Sequence, residues 1–411
     1  MPRPARPSVL LAYATFVLIG IYSGSGGVLL VAQMSSYGVD RTTIGIMFFT
    51  GSAGFVLAGF HNGALIQRLG FRMALVIGSA AFEIVGLYLG TRPPFVLFLL
   101  VQLILGYGTG VLESALNAYL AALPDARAQL NLLHAFFGVG ALIGPVLAAW
   151  IVSMVSWTVV WLVMAAMCLP IVIGFWLLYP NRPADPGRPP RAPGESAESA
   201  GPLPEPPVAG PGGLLGTVLR ERGVLLGALF LAVYVGLEIG MGNWGFSYLV
   251  QARDLSRSLA GYSVSGYWLG LTVGRFVISP IAARIGATTG AMVYACLIGV
   301  IAATMLAWLS PSAALASAAL LLLGFFLGPI FPTTMAIVPQ LTEEHLGPAA
   351  IGVLNAGAIV GGSALPWLAG AISQATGIWT LLPFTLALGG LQFVAWRPLA
   401  RRISAPSAAD G

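Results

Sequence analysis

Gly20-Ile-Tyr-Ser-Gly24-Ser-Gly26 stands 216 residues before Gly236-Leu-Glu-Ile-Gly240-Met-Gly242. The same offset, without a gap, pairs Arg41 with Arg257, Gly45 with Gly261, Arg68 with Arg284 and Gly70 with Gly286. With slight drift, Gly106 and Gly110 recur as Gly324 and Gly328, Pro145 recurs as Pro366, and His134 falls opposite Asn355. Glycines and arginines kept across so long an offset mark backbone approach or boundary charge, not shared catalytic chemistry. Two similar halves in an apolar chain point to a secondary transporter with its substrate site between the halves.

Composition agrees with lipid as the solvent. Charged residues are 8% of the chain and apolar residues 57%, against about 25% charged in an ordinary soluble domain. A span needs about 20 apolar residues, and twelve such stretches can be marked out, the first between Val9 and Met34 and the last between Trp379 and Trp396. The first is too long for a cleaved signal and is read as a retained helix. The expected fold is therefore an all-α membrane protein, with twelve transmembrane helices in two pseudo-symmetric six-helix bundles. Residues 1–179 form the first bundle and 214–411 the second with a short tail. Between them, 180–213 holds eleven prolines among Gly, Ser and Ala, and is expected to be a disordered cytoplasmic linker.

Arginine supplies all the basic charge of the chain. If the N-terminus is inside, Arg3, Arg6, Arg68, Arg72, Arg127, Arg182, Arg188, Arg191, Arg220, Arg222, Arg284, Arg397, Arg401 and Arg402 fall on the cytoplasmic side. Only Arg41, Arg92, Arg253 and Arg257 fall in outer loops, which satisfies the positive-inside rule. The expected location is the inner (plasma) membrane, with both termini cytoplasmic. The net charge of +5 then reflects topology and contact with anionic lipid rather than nucleic acid. Cys168 and Cys296 lie in apolar runs of opposite halves and read as small buried hydrophobes.

Local motifs narrow the class. Gly63-Ala-Leu-Ile-Gln67-Arg68-Leu-Gly70-Phe-Arg72, between spans two and three, resembles the cytoplasmic loop signature of the major facilitator superfamily, with Gln67 in place of the usual acid. Leu103-Ile-Leu-Gly106-Tyr-Gly-Thr-Gly110-Val-Leu-Glu113-Ser-Ala-Leu-Asn117 and Leu130-Asn131-Leu-Leu-His134 resemble the fourth and fifth helices of that superfamily's fucose:proton symporter branch, which also includes hexose transporters. Gly270-Leu-Thr-Val-Gly274-Arg275 and Gly324-Phe-Phe-Leu-Gly328-Pro329-Ile-Phe-Pro332 resemble the same branch. The resemblance implies that Glu113 occupies the place of a protonatable glutamate. It also implies that Gly63, Arg68, Gly70 and Arg72 form a cytoplasmic gate. A second family carboxylate, in span one, would fall near Gly27, where none is present. The family's polar residue in span five is Phe137 here.

Ionisable groups at membrane depth cost at least about 2.5–3.5 kcal/mol and usually face a cavity. Glu83, Glu113, Glu238 and Arg275 meet this description. Glu113 and Asn117 share a helix face, about 6 Å apart along the axis; a carboxyl beside an amide can take a proton or grip a hydroxylated ligand, or simply hold two helices together. Glu238, Asn243 and Trp244 lie on a glycine-rich helix that can bend or break there, or whose glycines serve only close packing. Arg275, about 13 Å inside the boundary Arg284, suits a glutamate partner, an anionic-substrate grip or a packing role. Glu113 and Glu238 are the proton-coupling candidates. Asn117, His134, Asn243, Trp244, Trp268, Asn355 and Arg275 are the substrate-binding ones, and Glu83 reads as a structural acid.

The leading functional reading is proton-coupled uptake of a sugar or similar polyhydroxylated solute by alternating access. A proton-coupled exporter of drugs or metabolites stays open, since three membrane acids against one arginine also suit a cationic substrate. A non-transporting sensor with a carrier fold is a third reading. No phosphate-cradling loop, metal-spaced His/Cys set or nucleophile motif points to an enzyme. No cofactor or metal is expected, and the partners are the solute, protons (or sodium) and lipid around a monomer.

Overall fold

The computed structural model describes residues 6–123, 125–179 and 216–404. The stretch 180–213, with Arg3, Arg182, Arg188 and Arg191, lies outside the described residues. The first half comprises α1 (Arg6–Tyr37), a short α2 (Arg41–Ile44), α3 (Ile46–Gly90), α4 (Phe95–Ala121), α5 (Ala126–Met154) and α6 (Trp157–Leu178). The second comprises α7 (Arg222–Ala252), α8 (Arg257–Arg284), α9 (Thr289–Leu309), α10 (Ala313–Leu327), α11 (Ile330–Ala336), α12 (Gly347–Thr376) and α13 (Leu381–Ser404). No strand occurs among the described residues.

Local chemistry sets several helix starts. Ser256, Thr288 and Ser312 each accept a hydrogen bond from the amide three residues on, so they cap α8, α9 and α10. Ten helices are long and apolar enough to cross a bilayer. Two features bring the crossings to twelve. The long α3 holds two spans, which part at a kink at Gly70 (φ 81°, ψ 167°). Helix α8 also crosses, but Arg275 and its serines and glycines lower its apolarity. Large apolar side chains such as Phe60 and Leu177 point fully outward, 78% and 70% exposed, as a lipid-facing surface requires.

The repeat read from sequence is a repeat of backbone geometry. Gly70 and its counterpart Gly286 both take positive φ, 81° and 71°. A methyl added at Gly54 would sit 1.9 Å from the Leu103 carbonyl oxygen, and one at the matching Gly270 would sit 2.0 Å from that of Leu321. Gly106 meets Gly51 in the same way, as Gly324 meets Tyr267. These glycines let α3 touch α4, and α8 touch α10, backbone to backbone. Gly70 lies in a backbone region open essentially only to glycine, so Gly70→Ala is expected to destabilise the protein by about 1–3 kcal/mol, seen as a lower Tm in detergent.

Of the two readings of the α7 glycines, the structure shows close packing. Helix α7 runs unbroken from Arg222 to Ala252, because its glycines accept neighbours instead of bending. Gly236 faces Leu365 and Gly361, Gly242 faces the Trp268 ring, and only Gly240 has open space. The break lies instead in the tenth span, where α10 stops at Gly328-Pro329 and α11 resumes at Ile330. Pro329 and Pro332 lack amide protons and leave carbonyls without helical donors. The Tyr234 hydroxyl donates to the Leu327 oxygen at 3.1 Å and Arg275 Nε to the Gly328 oxygen at 3.4 Å.

The halves meet along three seams: α1 with α7, α5 with α8, and α2 and α3 with α12. The end bearing Arg41 is closed. Arg41 donates to the Ser373 oxygen and Gln374 Oε1 of α12 at 3.3 and 3.4 Å, and also to Gln251 Oε1 of α7. Asp40 holds α2 in place by accepting from the Thr43 amide at 2.7 Å, a bond that keeps its carboxyl below the usual range. At the opposite end, where α1 begins and α13 finishes, His134, Asn355 and Gly63 are all exposed.

Candidate functional site

Two polar foci lie deep between the seams. The first belongs to the first half. Glu113 on α4 stays partly accessible although protein surrounds it, and therefore lines an internal hollow. The Tyr22 phenol of α1 faces it within electrostatic reach. Tyr22 is fixed from behind by Phe82 of α3 and Trp161 of α6, both with ring centroids at 5.8 Å. Asn117, one turn along α4, donates its amide to the Glu113 backbone oxygen at 2.8 Å, which leaves its own oxygen as an acceptor.

The second focus joins both halves. Glu238 on α7 also remains partly accessible inside the protein. Around it are Tyr234 of the same helix and Arg275 of α8, while the Tyr267 hydroxyl donates to the Glu238 backbone oxygen at 3.0 Å. His134 of α5 approaches Arg275 from the other half and packs edge-on against Phe16 at 5.7 Å. Asn355 is exposed on α12, and among the described residues no hydrogen bond joins it to His134.

Asn243 and Trp268 belong to the α1–α7–α8 packing. Asn243 donates to the Ile239 oxygen at 3.0 Å, and its Oδ1 would be 2.5 Å from a methyl added at Gly26. Trp268 is 6% exposed, stands edge-on to Tyr267 at 5.4 Å, and its indole N–H has no partner among the described residues. Trp244 lies apart from the hollow in this state. It is fully buried, donates to the Pro366 oxygen at 2.8 Å and packs against Phe48 at 6.4 Å, so it plugs the α3–α12 seam.

Among the described residues, no hydrogen bond or ion pair joins the proposed gate residues to the second half. Arg72 places its guanidinium 4.5 Å from the Trp176 ring of α6, Arg68 is exposed, and nothing lies within 4 Å of a methyl added at Gly63. Glu83 sits away from the hollow, beside Cys168 on the α3–α6 flank. A cavity of about 530 Å³ between α5 and α8, walled by Leu142, Val146, Trp150, Tyr262 and Leu269, contains none of the acids. Its apolar walls suit an acyl chain, not a polar solute.

The missing span-one carboxylate has a steric reason. A methyl at Gly27 would lie 2.8 and 2.9 Å from the Asn243 and Gly242 carbonyl oxygens. No longer side chain fits there while α1 and α7 stay in contact.

The profile of the Major Facilitator Superfamily matches residues 11–256 and 239–409, nearly the whole chain in two passes. The chain belongs to the major facilitator superfamily. It is a transporter, and its duplicated six-helix halves are those of that fold. Bypass of stop codon protein 6 of Saccharomyces cerevisiae is 25% identical over 90% of this chain and 78% of its own length. A glucose/galactose transporter of Brucella abortus is 26% identical over 69% of this chain and 67% of its own. Among solved structures, the nucleoside transporter NupG superposes with a TM-score of 0.78 at 12% identity, over 97% of this chain and 100% of its own. The Escherichia coli fucose:proton symporter FucP superposes with a TM-score of 0.62 at 17% identity, over 98% and 100%.

Sequence reasoning passed over Tyr22 and Tyr234, which face the two acids. For Tyr22 a signal existed, since the repeat places it opposite Glu238. For Tyr234 none did, because its role depends on the α10 break.

Proposed function

We propose that this superfamily member takes up a sugar or similar polyhydroxylated solute together with a proton. Glu113 carries the proposal: an acid partly accessible inside the protein, with an amide one turn away and, among the described residues, no cation facing it. Protonation removes a charge that is costly to bury. The halves can then rock about the bound solute, closing the His134 end and opening the Arg41 end. Glu238, Asn243, Arg275, Trp268 and His134 supply further donors and acceptors for hydroxyl groups, and Asn355 and Trp244 would join the wall as the helices tilt. The relatives add support, for they include a glucose/galactose transporter and a fucose:proton symporter.

The arginine distribution supports an inner (plasma) membrane location with the His134 end toward the cytoplasm, and on that reading the state described opens inward. There, Arg68 and Arg72 with Gly63 and Gly70 would close the cytoplasmic gate in the opposite state. On this reading the protein works as a monomer in lipid. The proline-rich 180–213 tethers the bundles of 1–179 and 214–411.

Proteoliposomes loaded with a pH dye test the proposal. Addition of D-glucose, D-galactose or L-fucose outside is expected to acidify the lumen in step with uptake of the labelled sugar. Proton exit during uptake, or uptake without proton movement for every sugar, would overturn it.

A further inference from the structure

The two acids of the hollow have unlike surroundings. From the helices packed on α4, the only titratable group facing Glu113 is the Tyr22 phenol of α1, and no arginine or histidine reaches it among the described residues. Glu238 has Arg275 of α8 within electrostatic reach, with Tyr234 from its own helix and Tyr267 from α8 beside it. Yet Glu238 and Arg275 do not close to an ion pair. Among the described residues, a charged contact within 4.0 Å joins only His345 and Glu343.

Other bonds hold the two apart. Arg275 donates to the Gly328 oxygen that the α10 break exposes, and His134 of α5 lies within its electrostatic reach. Glu238 is steadied through its backbone by Tyr267. An acid and a guanidinium that face each other without closing to an ion pair have acceptors on one side and donors on the other for a ligand between them.

We infer that the acids divide the work: Glu113 alone carries the proton, while Glu238 and Arg275 stay charged and clasp a vicinal diol of the solute. One hydroxyl donates to the carboxylate and its neighbour accepts from the guanidinium. The solute bridges the gap and, through Arg275, bears on the α10 break. This inference rests on the symport reading above. It adds that the two carboxyls are not interchangeable, and that one proton enters per solute.

Variants of the full chain in proteoliposomes decide it. In the unmodified protein, an absence of sugar-linked proton entry would sink the symport reading and this inference together. Given coupling, Glu113→Gln is expected to lose at least tenfold of proton-driven accumulation and its pH dependence, while gradient-free sugar exchange slows no more than about threefold. Glu238→Gln and Arg275→Gln should raise the KM for sugar at least tenfold, with the remaining uptake still proton-linked and with the native pH profile. Glu238→Asp, which keeps the charge, should recover part of the affinity, and equal Tm values would exclude misfolding.

Monodeoxy glucoses probe the diol. Two analogues lacking adjacent hydroxyls should bind at least tenfold more weakly to the native protein, and Glu238→Gln should erase that discrimination. Loss of coupling with normal affinity in Glu238→Gln, or retained coupling in Glu113→Gln, would overturn the division. So would equal binding of all the deoxy sugars.

Discussion

Gly106→Leu is expected to leave no folded protein. A single added carbon at this position would lie 1.9 Å from the Gly51 carbonyl oxygen and 2.8 Å from the Gly51 carbonyl carbon. Both are backbone atoms of α3, so no rotamer change can make room. The helices would have to separate along the contact that Gly54 makes with Leu103 and Tyr107. Side-chain overpacking typically costs about 1–3 kcal/mol. A backbone collision at the centre of a half should cost at least about 4 kcal/mol, in the range tied to named core defects. The measure is the monodisperse fraction by size-exclusion chromatography after mild detergent extraction. Gly63→Leu serves as the contrast, since nothing lies within 4 Å of a methyl added there, and it should extract normally. Gly324→Leu should fail as Gly106→Leu does, because a methyl at Gly324 would lie 2.0 Å from the Tyr267 oxygen in the repeat. A well-folded Gly106→Leu protein would contradict the reading of these glycines as sites of backbone contact.

Arg41→Ala is expected to open the closed end. Arg41 reaches across from the first half to two helices of the second, with bonds to Gln251, Ser373 and Gln374, and its backbone amide also donates to Gln374 Oε1 at 3.2 Å. All of its partners are neutral. No carboxylate is left stranded when the guanidinium goes, and the loss falls on the closed state alone. Hydrogen bonds to charged groups contribute about 1.5–3 kcal/mol each when buried, and these are partly exposed. A total of about 2 kcal/mol is a fair expectation, which shifts the ratio of closed to open states about 30-fold. Spin labels at Thr42 and Thr376, on opposite sides of the seam, should gain a longer-distance population in the variant. An unchanged distance distribution would mean that Trp244 and Phe48 seal this end without help. Arg41→Lys keeps the charge but not the forked geometry, and should fall between the native protein and Arg41→Ala.

Much of the architecture was legible because it is written along one dimension. Apolar length marks the spans, arginines mark their ends, and the ungapped offset marks the duplication. Gly70 and Gly286 illustrate how far this goes. Their pairing was visible in the chain, and the same positive φ at both shows that the repeat is one of conformation. The acids were legible too, since a carboxyl at membrane depth is rare without a cavity. Glu113 and Glu238 both stay partly accessible inside the protein, whereas Glu83 lies beside Cys168 on the α3–α6 flank.

The partnerships needed the third dimension. Trp244 reads as a pocket aromatic by its neighbours in the chain, but the rotation of α7 aims it into the α3–α12 seam. Gly27 reads as a lost carboxylate, but the approach of α7 shows that no carboxylate would fit. The glycines of α7 read equally as a bend or as close packing; α7 stays unbroken, and the interruption falls at Gly328-Pro329 between α10 and α11. That break draws in Tyr234 and Arg275, and so determines what Glu238 faces. The chain by itself determined what each helix is and that the halves match, because hydrophobic length and glycine spacing act locally. Which residues meet across the hollow was decided only by the turn of each helix about its axis and the tilt of one half on the other, and these follow from contacts between segments hundreds of residues apart.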